Sequence, residues 1–392
     1  MNGSRHAMVV HAYYPVGETR VQREAAALVE AGVAVDVFCL RQSGEPRRET
    51  VDGVTVNRVP IGRNRRLGFA VQFLEYAAFM VVAGALLTLA HIRRRYDSVQ
   101  VHNLPDFLVF SAVVPKLTGA HVLLDLHDLM PEFLAARLER PMSHPLVRLV
   151  ALQERLSCGF ADAVITVTEG WRERLIGRGV DGDKISVVMN VADPALFARR
   201  TDAAEDETFS ILYHGTFTHR YGVDLLVEAV AILRTRPTSP RLRLWLLGDG
   251  DYRAEIEAAV ARLGLSDIVE LSPGMLAVSD LEPYLERADV GVVPNRSSVF
   301  TDDLLPTKLI EYVTVGIPVV AARTPMIESY FDDDMVEYFK PGDAEDLAAR
   351  LEELAASPSR RHDLATAADR FAKAHRWEDL AQSYVALVAA GR

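Results

Sequence analysis

Short apolar runs alternate along the chain with segments whose apolar residues recur every three to four positions. The runs fall at 7–12, 33–40, 54–59, 98–102, 121–126, 163–167 and 185–189. They are near-continuous in Val, Ile and Leu, the pattern of strands covered on both faces. Helical spacing occupies 18–31, 68–94, 106–118, 143–159 and 169–177. This alternation predicts an α/β fold, a parallel sheet flanked by helices. Around 192–208 the pattern lapses. Asp193-Pro194 opens a polar stretch ending in Thr201-Asp-Ala-Ala-Glu-Asp-Glu207, which reads as a linker. The alternation then restarts, with strands expected at 209–214, 242–247, 268–271, 289–293, 317–322 and 336–339. Helices are expected at 222–235, 251–263, 279–287, 307–315, 328–332, 343–356, 358–374 and 377–390. Two Rossmann-like domains follow, 1–196 and 197–376, with the segment 377–392 expected to pack back on the first. Open α/β sheets bind ligands outside the carboxyl ends of their strands, so the site is expected in a cleft between the domains.

Composition narrows this only modestly. The chain has 392 residues, 49% hydrophobic and 25% charged, ordinary for a folded protein of two domains. Its two cysteines, Cys39 and Cys158, supply neither a disulfide framework nor a thiolate metal site, which suits a reducing cytoplasm. Net charge is −11. Residues 1–196 carry 22 Lys/Arg against 21 Asp/Glu, and the remainder 21 against 33. A nucleic-acid binder needs a basic field, and neither half has one. The first apolar run, Ala7 to Val10, is short and leads to His11, so it reads as a strand and not as a signal peptide.

One segment departs from this picture. Residues 76–90 (YAAFMVVAGALLTLA) hold no charge, with Arg63, Arg65 and Arg66 before them and Arg93, Arg94 and Arg95 after. Fifteen helical residues rise about 23 Å, short of a ~30 Å hydrocarbon core. Two readings stay open. One is a buried helix of the first domain. The other is peripheral contact of 63–95 with the inner face of the cell membrane.

The candidate chemistry concentrates at 294–318. The run Pro294-Asn-Arg-Ser-Ser-Val-Phe-Thr-Asp-Asp-Leu-Leu-Pro-Thr-Lys-Leu-Ile-Glu-Tyr312 follows a strand and enters a helix with Pro306 near its first turn. Such a helix start offers free N–H groups and a positive dipole end to a phosphate. Lys308 adds a full charge there. Glu311, at i+3 from Lys308, shares its helical face and is able to accept from two vicinal ribose hydroxyls. Asp303, in the loop, is placed to take sugar hydroxyls.

The spacing of Asp303 and Glu311 resembles the Glu-x7-Glu motif of retaining GT-B glycosyltransferases of family GT4, in the variant of bacterial polysaccharide glycosyltransferases. The resemblance implies that Glu311 binds ribose and that Asp303, Leu305, Pro306 and Thr307 hold the donor sugar. Asp303 is one methylene shorter than the usual Glu. His214-Gly-Thr-Phe-Thr-His-Arg-Tyr-Gly222 is similar to the family's diphosphate loop G-R-L-x-x-x-K-G, with Gly215 and Thr216 against the donor. Thr216 and Tyr221 replace its two cations, which leaves Arg220 and Lys308 to share the diphosphate. Asp125-Leu-His-Asp-Leu-Met-Pro-Glu132 resembles the family's H-D-x-x-P-E pattern. This gives His127 the role of the active-site histidine on the donor sugar, with Asp128 beside it. Val101-His102-Asn103-Leu-Pro-Asp106 is also similar, and places His102 in the acceptor cleft. Gly248-Asp249-Gly250 resembles the turn near the base, and Gly17 the glycine loop near the phosphates. Arg20 and Arg23 are expected to face an anionic acceptor.

The resemblance implies retention by front-face displacement, with Arg220 and Lys308 stabilising the leaving diphosphate. No Asp-x-Asp motif stands where a metal-dependent glycosyltransferase needs one, so neither metal nor cofactor is expected. The nucleotide sugar is a co-substrate, a UDP sugar first and GDP-mannose second. The expected acceptor is a lipid-linked saccharide or a natural-product sugar core. Two other readings stay open: a nucleotide-sugar 2-epimerase, and a non-catalytic GT-B partner in a polysaccharide assembly complex. Thr216 in place of a family arginine supports the latter.

Overall fold

The computed structural model describes residues 3–15, 18–62, 69–193, 196–200 and 208–390. Gly17, Arg63, Arg65, Arg66 and the acidic stretch 201–207 lie outside the described residues. Two compact units result, Met1–Asn190 with Glu378–Arg392, and Val191–Trp377.

The first unit carries β1 (Arg5–Tyr13), β2 (Ala34–Leu40), β3 (Arg48–Val51), β4 (Val54–Val59), β5 (Ser98–His102), β6 (His121–Asp125), β7 (Ala163–Thr166) and β8 (Ile185–Val187). They form one sheet in the order β3-β4-β2-β1-β5-β6-β7-β8, parallel except at β3–β4. Its helices are α1 (Thr19–Glu30), α2 (Phe69–Arg94), α3 (Val113–Leu117), α4 (Met130–Leu138), α5 (Pro145–Phe160) and α6 (Glu169–Gly177). The expected helix at 106–118 is instead a 3-10 helix over Asp106–Ala112 followed by α3. Pro115 explains the break. Inside a continuous helix it would delete a hydrogen bond and clash with the preceding turn, whereas in the first turn of α3 it does neither. The edge strand β3 is short, polar and antiparallel, so it leaves no apolar signal.

The second unit carries β9 (Thr208–His214), β10 (Arg241–Leu247), β11 (Val269–Leu271), β12 (Val290–Val293), β13 (Val319–Ala322) and β14 (Glu337–Phe339). Its order is β11-β10-β9-β12-β13-β14, wholly parallel. Its helices are α7 (Val223–Thr235), α8 (Arg253–Arg262), α9 (Glu282–Leu285), α10 (Thr307–Val315), α11 (Pro325–Glu328), α12 (Ala344–Ala356) and α13 (Pro358–Ala374). The helix expected at 328–332 lies earlier, as α11, because Pro325 is preset for a first helical position. Ile211, Leu226, Val230, Leu244, Val292, Leu347 and Leu351 are among the buried side chains of one core. The chain runs outward from β9 to β11 and then returns to place β12 on the other side of β9. That reversal is a topological switch point, where adjacent loops diverge and leave a crevice.

The last helix, α14 (Trp377–Ala390), belongs from Glu378 onward to the first unit. Tyr384 is buried there and donates to Gln100 Oε1 at 2.6 Å, which anchors the helix to β5.

Gly291 in β12 fixes how α10 sits on the second sheet. A Cβ at this position would lie 2.4–2.7 Å from the Tyr312 ring. Tyr312 in turn accepts from the His214 N–H at 3.1 Å, so α10 is tied to the end of β9. Gly291→Ala is expected to destabilise the protein by about 1–3 kcal/mol through overpacking. Urea denaturation checks this, and an unchanged midpoint would contradict the packing described.

Candidate active site

The switch point of the second unit is bounded by the loops after β9 and β12, and the loop after β10, with its Gly248-Asp249-Gly250 motif, lies beside the first of them. Glycines stitch them together. A Cβ on Gly222 would meet Pro294 O at 1.9 Å, one on Gly248 would meet Gly215 O at 1.8 Å, and one on Gly250 would meet Phe217 O at 2.0 Å. These approaches are backbone on backbone, so no side chain fits. Hydrogen bonds run across the seam, from Phe217 N to Asp249 O at 2.9 Å and from Arg296 N to Arg220 O at 3.0 Å. Arg296 adds a two-pronged pair with Asp224 at 2.7 and 2.9 Å. The 294–306 loop is therefore fastened to the start of α7.

At the base of this crevice α10 begins. Pro306 is its N-cap and supplies no side-chain hydrogen bond; Leu309 N turns back to Pro306 O at 3.0 Å, which leaves the N–H groups of Thr307 and Lys308 for another partner. Lys308, 8% exposed, donates from Nζ to Tyr213 Oη at 2.9 Å. The Tyr213 hydroxyl in turn donates to Thr216 O at 2.9 Å. Nζ also lies 4.1 Å from the Tyr213 ring centroid and 5.0 Å from that of Tyr221. Gly215, with φ +120°, keeps the space beside Lys308 open, since a Cβ would stand 3.4 Å from Nζ. Burial pushes the Lys308 ammonium down to about 7, against the pull of Glu311. Among the described residues Lys308 makes no salt bridge.

Glu311, one turn on, is half-buried, with Oε2 3.3 Å from His214 Nε2. Burial and the Lys308 charge lower His214 to about 3, so its imidazole is neutral. No role for His214 is evident from the motif alone. Its place as the last residue of β9 was the available signal. Arg220 stands on the 3-10 turn His219–Tyr221, its guanidinium 5.5 Å from the Phe300 ring centroid. Asp303, Leu305 and Pro306 are buried, while Thr216 and Thr307 are exposed. Lys308, Gly215, Thr216 and Glu311 thus gather around the start of α10, with Arg220 on the adjoining turn. Gly248 acts through its backbone, against Gly215.

The first unit holds a second cluster, at the ends of β5 and β6. Asp125 is fully buried and receives Arg20 Nε at 3.0 Å, Arg20 Nη2 at 2.9 Å and Gln100 Nε2 at 3.2 Å. His102 Nδ1 lies 3.1 Å and His127 Nε2 3.2 Å from its Oδ2. Burial works against ionising Asp125, but Arg20 and His127 outweigh it and hold the carboxyl well below its usual range. Burial likewise opposes the charge on His127, yet Asp125 and Glu18 raise it above its ordinary value. Burial carries His102 down to about 4, so it is neutral. The loop bearing His127 is clamped by Asn103, whose Oδ1 accepts from His127 N at 2.7 Å and whose Nδ2 donates to Asp128 O at 2.7 Å.

Two expectations are corrected here. Arg20 does not face an acceptor. It is 4% exposed, and beyond Asp125 its guanidinium binds Glu24 at 3.1 Å, Val188 O at 2.8 Å and Asn190 Oδ1 at 2.9 Å. A buried guanidinium needs that many acceptors to offset its lost hydration. His102, with no exposed surface, does not line an open face but packs edge-on against His127. Asp128 is half-buried, and Gly17 lies outside the described residues.

Residues 17–190 match the family described as glycosyl transferase 4-like domain, and residues 197–371 match glycosyl transferases group 1. The chain belongs to the GT4 glycosyltransferases, of GT-B fold. It is similar to the chitobiosyldiphosphodolichol beta-mannosyltransferase of Candida albicans, 25% identical over 305 residues, which are 72% of this chain and 66% of that protein. It therefore spans slightly less than two thirds of that relative. The D-inositol 3-phosphate glycosyltransferase of Thermomonospora curvata is 28% identical over 380 residues, 90% of this chain and 85% of that one. Among solved structures, sucrose-phosphate synthase from Thermosynechococcus elongatus superposes with a TM-score of 0.79 at 21% identity, over 99% of this chain and 100% of that chain. Anabaena HepE in complex with UDP-glucose superposes with a TM-score of 0.73 at 15% identity, covering 98% and 99%.

In this GT4 chain His102, Asp125 and His127 offer ligand atoms within 4.8 Å of one another, a spacing open to a metal ion. The donor set argues for a hydrogen-bonded relay instead. Both Asp125 oxygens already face the Arg20 guanidinium, and a metal cation there would meet that charge at close range.

The depressed Lys308 makes stability depend on pH. Between about 7, its folded value, and its ordinary 10.5, the unfolded chain binds more protons, so stability rises with pH across that window. Lys308→Met removes the buried charge. It is expected to stabilise the fold most below pH 7, with a gain that shrinks as pH rises towards 10.5. Urea midpoints at about pH 6 and about pH 9 check this, and an equal gain at both would contradict the buried ammonium.

Proposed function

We propose that the protein transfers a hexosyl or N-acetylhexosaminyl group from a nucleoside-diphosphate sugar to an acceptor hydroxyl, with retention at the anomeric carbon and without a metal. The observation that carries this reading is the start of α10. There an uncapped helix N-terminus, a desolvated Lys308 and the opening at Gly215 converge on one spot, with Glu311 one turn away. A diphosphate is the ligand that uses all of them. Its charge suits the helix dipole and the ammonium, and the ribose hydroxyls of the same molecule suit the carboxylate. Arg220, on the neighbouring turn, supplies the second cation. The relatives named above are glycosyltransferases, and HepE was solved with UDP-glucose, which supports a UDP sugar as the first donor to test and GDP-mannose as the second.

In the proposed step the bond from the anomeric carbon to the diphosphate oxygen breaks as the acceptor oxygen bonds on the same face. The acceptor proton passes to the departing diphosphate. Lys308, Arg220 and the N–H groups of α10 stabilise the charge that grows on that oxygen. Asp303 and His127 are assigned to the donor sugar. Asp125 fixes the ring of His127 through Nε2, and Asn103 fixes its backbone. Arg20 and His102 act through Asp125 and are positioning residues. The acceptor is proposed to be a lipid-linked saccharide at the cytoplasmic face of the membrane.

The test is a thermal-shift titration with UDP, GDP and ADP sugars, followed by a transfer assay with the sugar that binds. One nucleotide sugar is expected to raise the melting temperature in a concentration-dependent way, and His127→Ala to lose most of the transfer activity while that shift persists. No shift with any donor would overturn the nucleotide-sugar reading. Near-normal turnover by His127→Ala would remove that residue's assignment.

A further inference from the structure

The first unit exposes an apolar surface that no part of the donor chemistry uses. It begins on α2. Phe79, Ala83, Leu87 and His91 are buried on its inner side. Its outer side carries Val71, Leu74, Ala78, Val81, Ala85, Leu89 and Ile92, all exposed and spaced three or four residues apart. Leu74, Val81 and Ile92 are 65%, 64% and 70% exposed. One helical face is therefore apolar towards solvent over the whole described length of the helix.

The surface continues beyond α2. The 106–112 segment packs against both α2 and α5, and the crossovers β4-α2-β5, β5-α3-β6 and β6-α5-β7 all step in the same direction along the sheet. Right-handed crossovers running one way place their helices on one face. Leu117, at the end of α3, is 81% exposed. On α5, Leu146, Leu149, Leu152 and Leu156 are each at least half exposed, again at helical spacing. α5 mixes these leucines with charges and lacks a long apolar run, so only α2 stands out in the sequence.

Charge on these elements is one-sided. α2, the 106–117 segment and α5 contain three acids among their described residues, and each is turned inward. Asp106 and Glu154 are buried, and Glu75 lies 3.2 Å from His11. Of the basic residues Arg93, Arg148 and Arg155 are exposed, while Arg94 pairs with Asp36 and the half-buried Lys116 pairs with Asp162. In a chain of net charge −11 this is a local reversal of sign. An apolar stripe with a basic border matches an anionic bilayer, which receives the side chains and attracts the arginines. α2 is long and apolar enough to cross a membrane. Crossing would, however, strip Phe79, Ala83 and Leu87 from the core, where His11 packs edge-on against Phe79 at 5.0 Å.

We propose that α2, α3 and α5 form one docking face that lies on an anionic lipid surface, with the leucines of α5 inserted alongside α2. The test is co-sedimentation of the full chain with phosphatidylcholine vesicles, with and without phosphatidylglycerol, at low and high salt. Binding is expected only with the anionic lipid and is expected to weaken with salt. The double substitution Leu149→Glu/Leu152→Glu is expected to lower vesicle partitioning by roughly tenfold or more. Leu149→Phe/Leu152→Phe is expected to retain it. Both variants are exposed-site changes and are expected to keep the native melting temperature. Failure of the native chain to pellet with anionic vesicles would overturn the proposal. So would undiminished binding of the Glu variant, or loss of a self-associated dimer in that variant without any vesicle binding by the native chain. No nucleotide sugar enters this assay, so its outcome is separate from that of the transfer reaction.

Discussion

The second unit is organised around an ammonium group held out of water. Lys308 is buried, and among the described residues it is paired with no carboxylate. A phenol oxygen and two aromatic rings are its neighbours. Such an arrangement is costly in the unliganded protein, and burial moves the group to about 7 to lessen the cost. The glycines around it then have a common purpose. Gly215 leaves the space beside Nζ empty, and Gly222, Gly248 and Gly250 let the neighbouring loops close on one another without filling it. The proposed diphosphate site is one in which these features await an anion.

The first unit solves a similar problem in the opposite way. Its buried cation, Arg20, is paired with Asp125 and Glu24 and donates to Val188 O and Asn190. Four of its five N–H groups are turned to these partners. What the network delivers is the orientation of His127, whose ring is held by Asp125 and whose backbone is held by Asn103. Tyr384 reaches the same network through Gln100, so the end of the chain braces the histidine loop.

Much of the architecture was legible in the sequence because both sheets are covered on their two faces. Strands such as Val54–Val59 and Val290–Val293 are therefore continuous apolar runs. The elements that escaped lack that signature. β3 is a polar edge, and the turn at 106–112 is imposed by Pro115, not by periodicity. In the crevice of the second unit the motif residues Lys308, Glu311 and Gly215 come together because they sit on adjoining strand-end loops, which a sequence can indicate. The roles of Arg20 and His102 could not be read in the same way. Arg20 meets Asp125 across 105 residues of chain, and no local pattern distinguishes an arginine that binds a ligand from one that holds a carboxylate. The outward leucines of α5 were hidden for a related reason: helical spacing reveals an apolar face but not which side of the helix meets the core.

The central claim is that the buried Lys308 ammonium is kept for a diphosphate. Isothermal calorimetry of UDP binding at about pH 8, in buffers of different ionisation heat, tests it most directly. At that pH the free lysine is largely neutral, and an arriving diphosphate restores its charge. The account predicts net proton uptake on binding by the native chain and none by Lys308→Met. Binding of UDP by the native chain without proton uptake, or with equal uptake in both proteins, would contradict it.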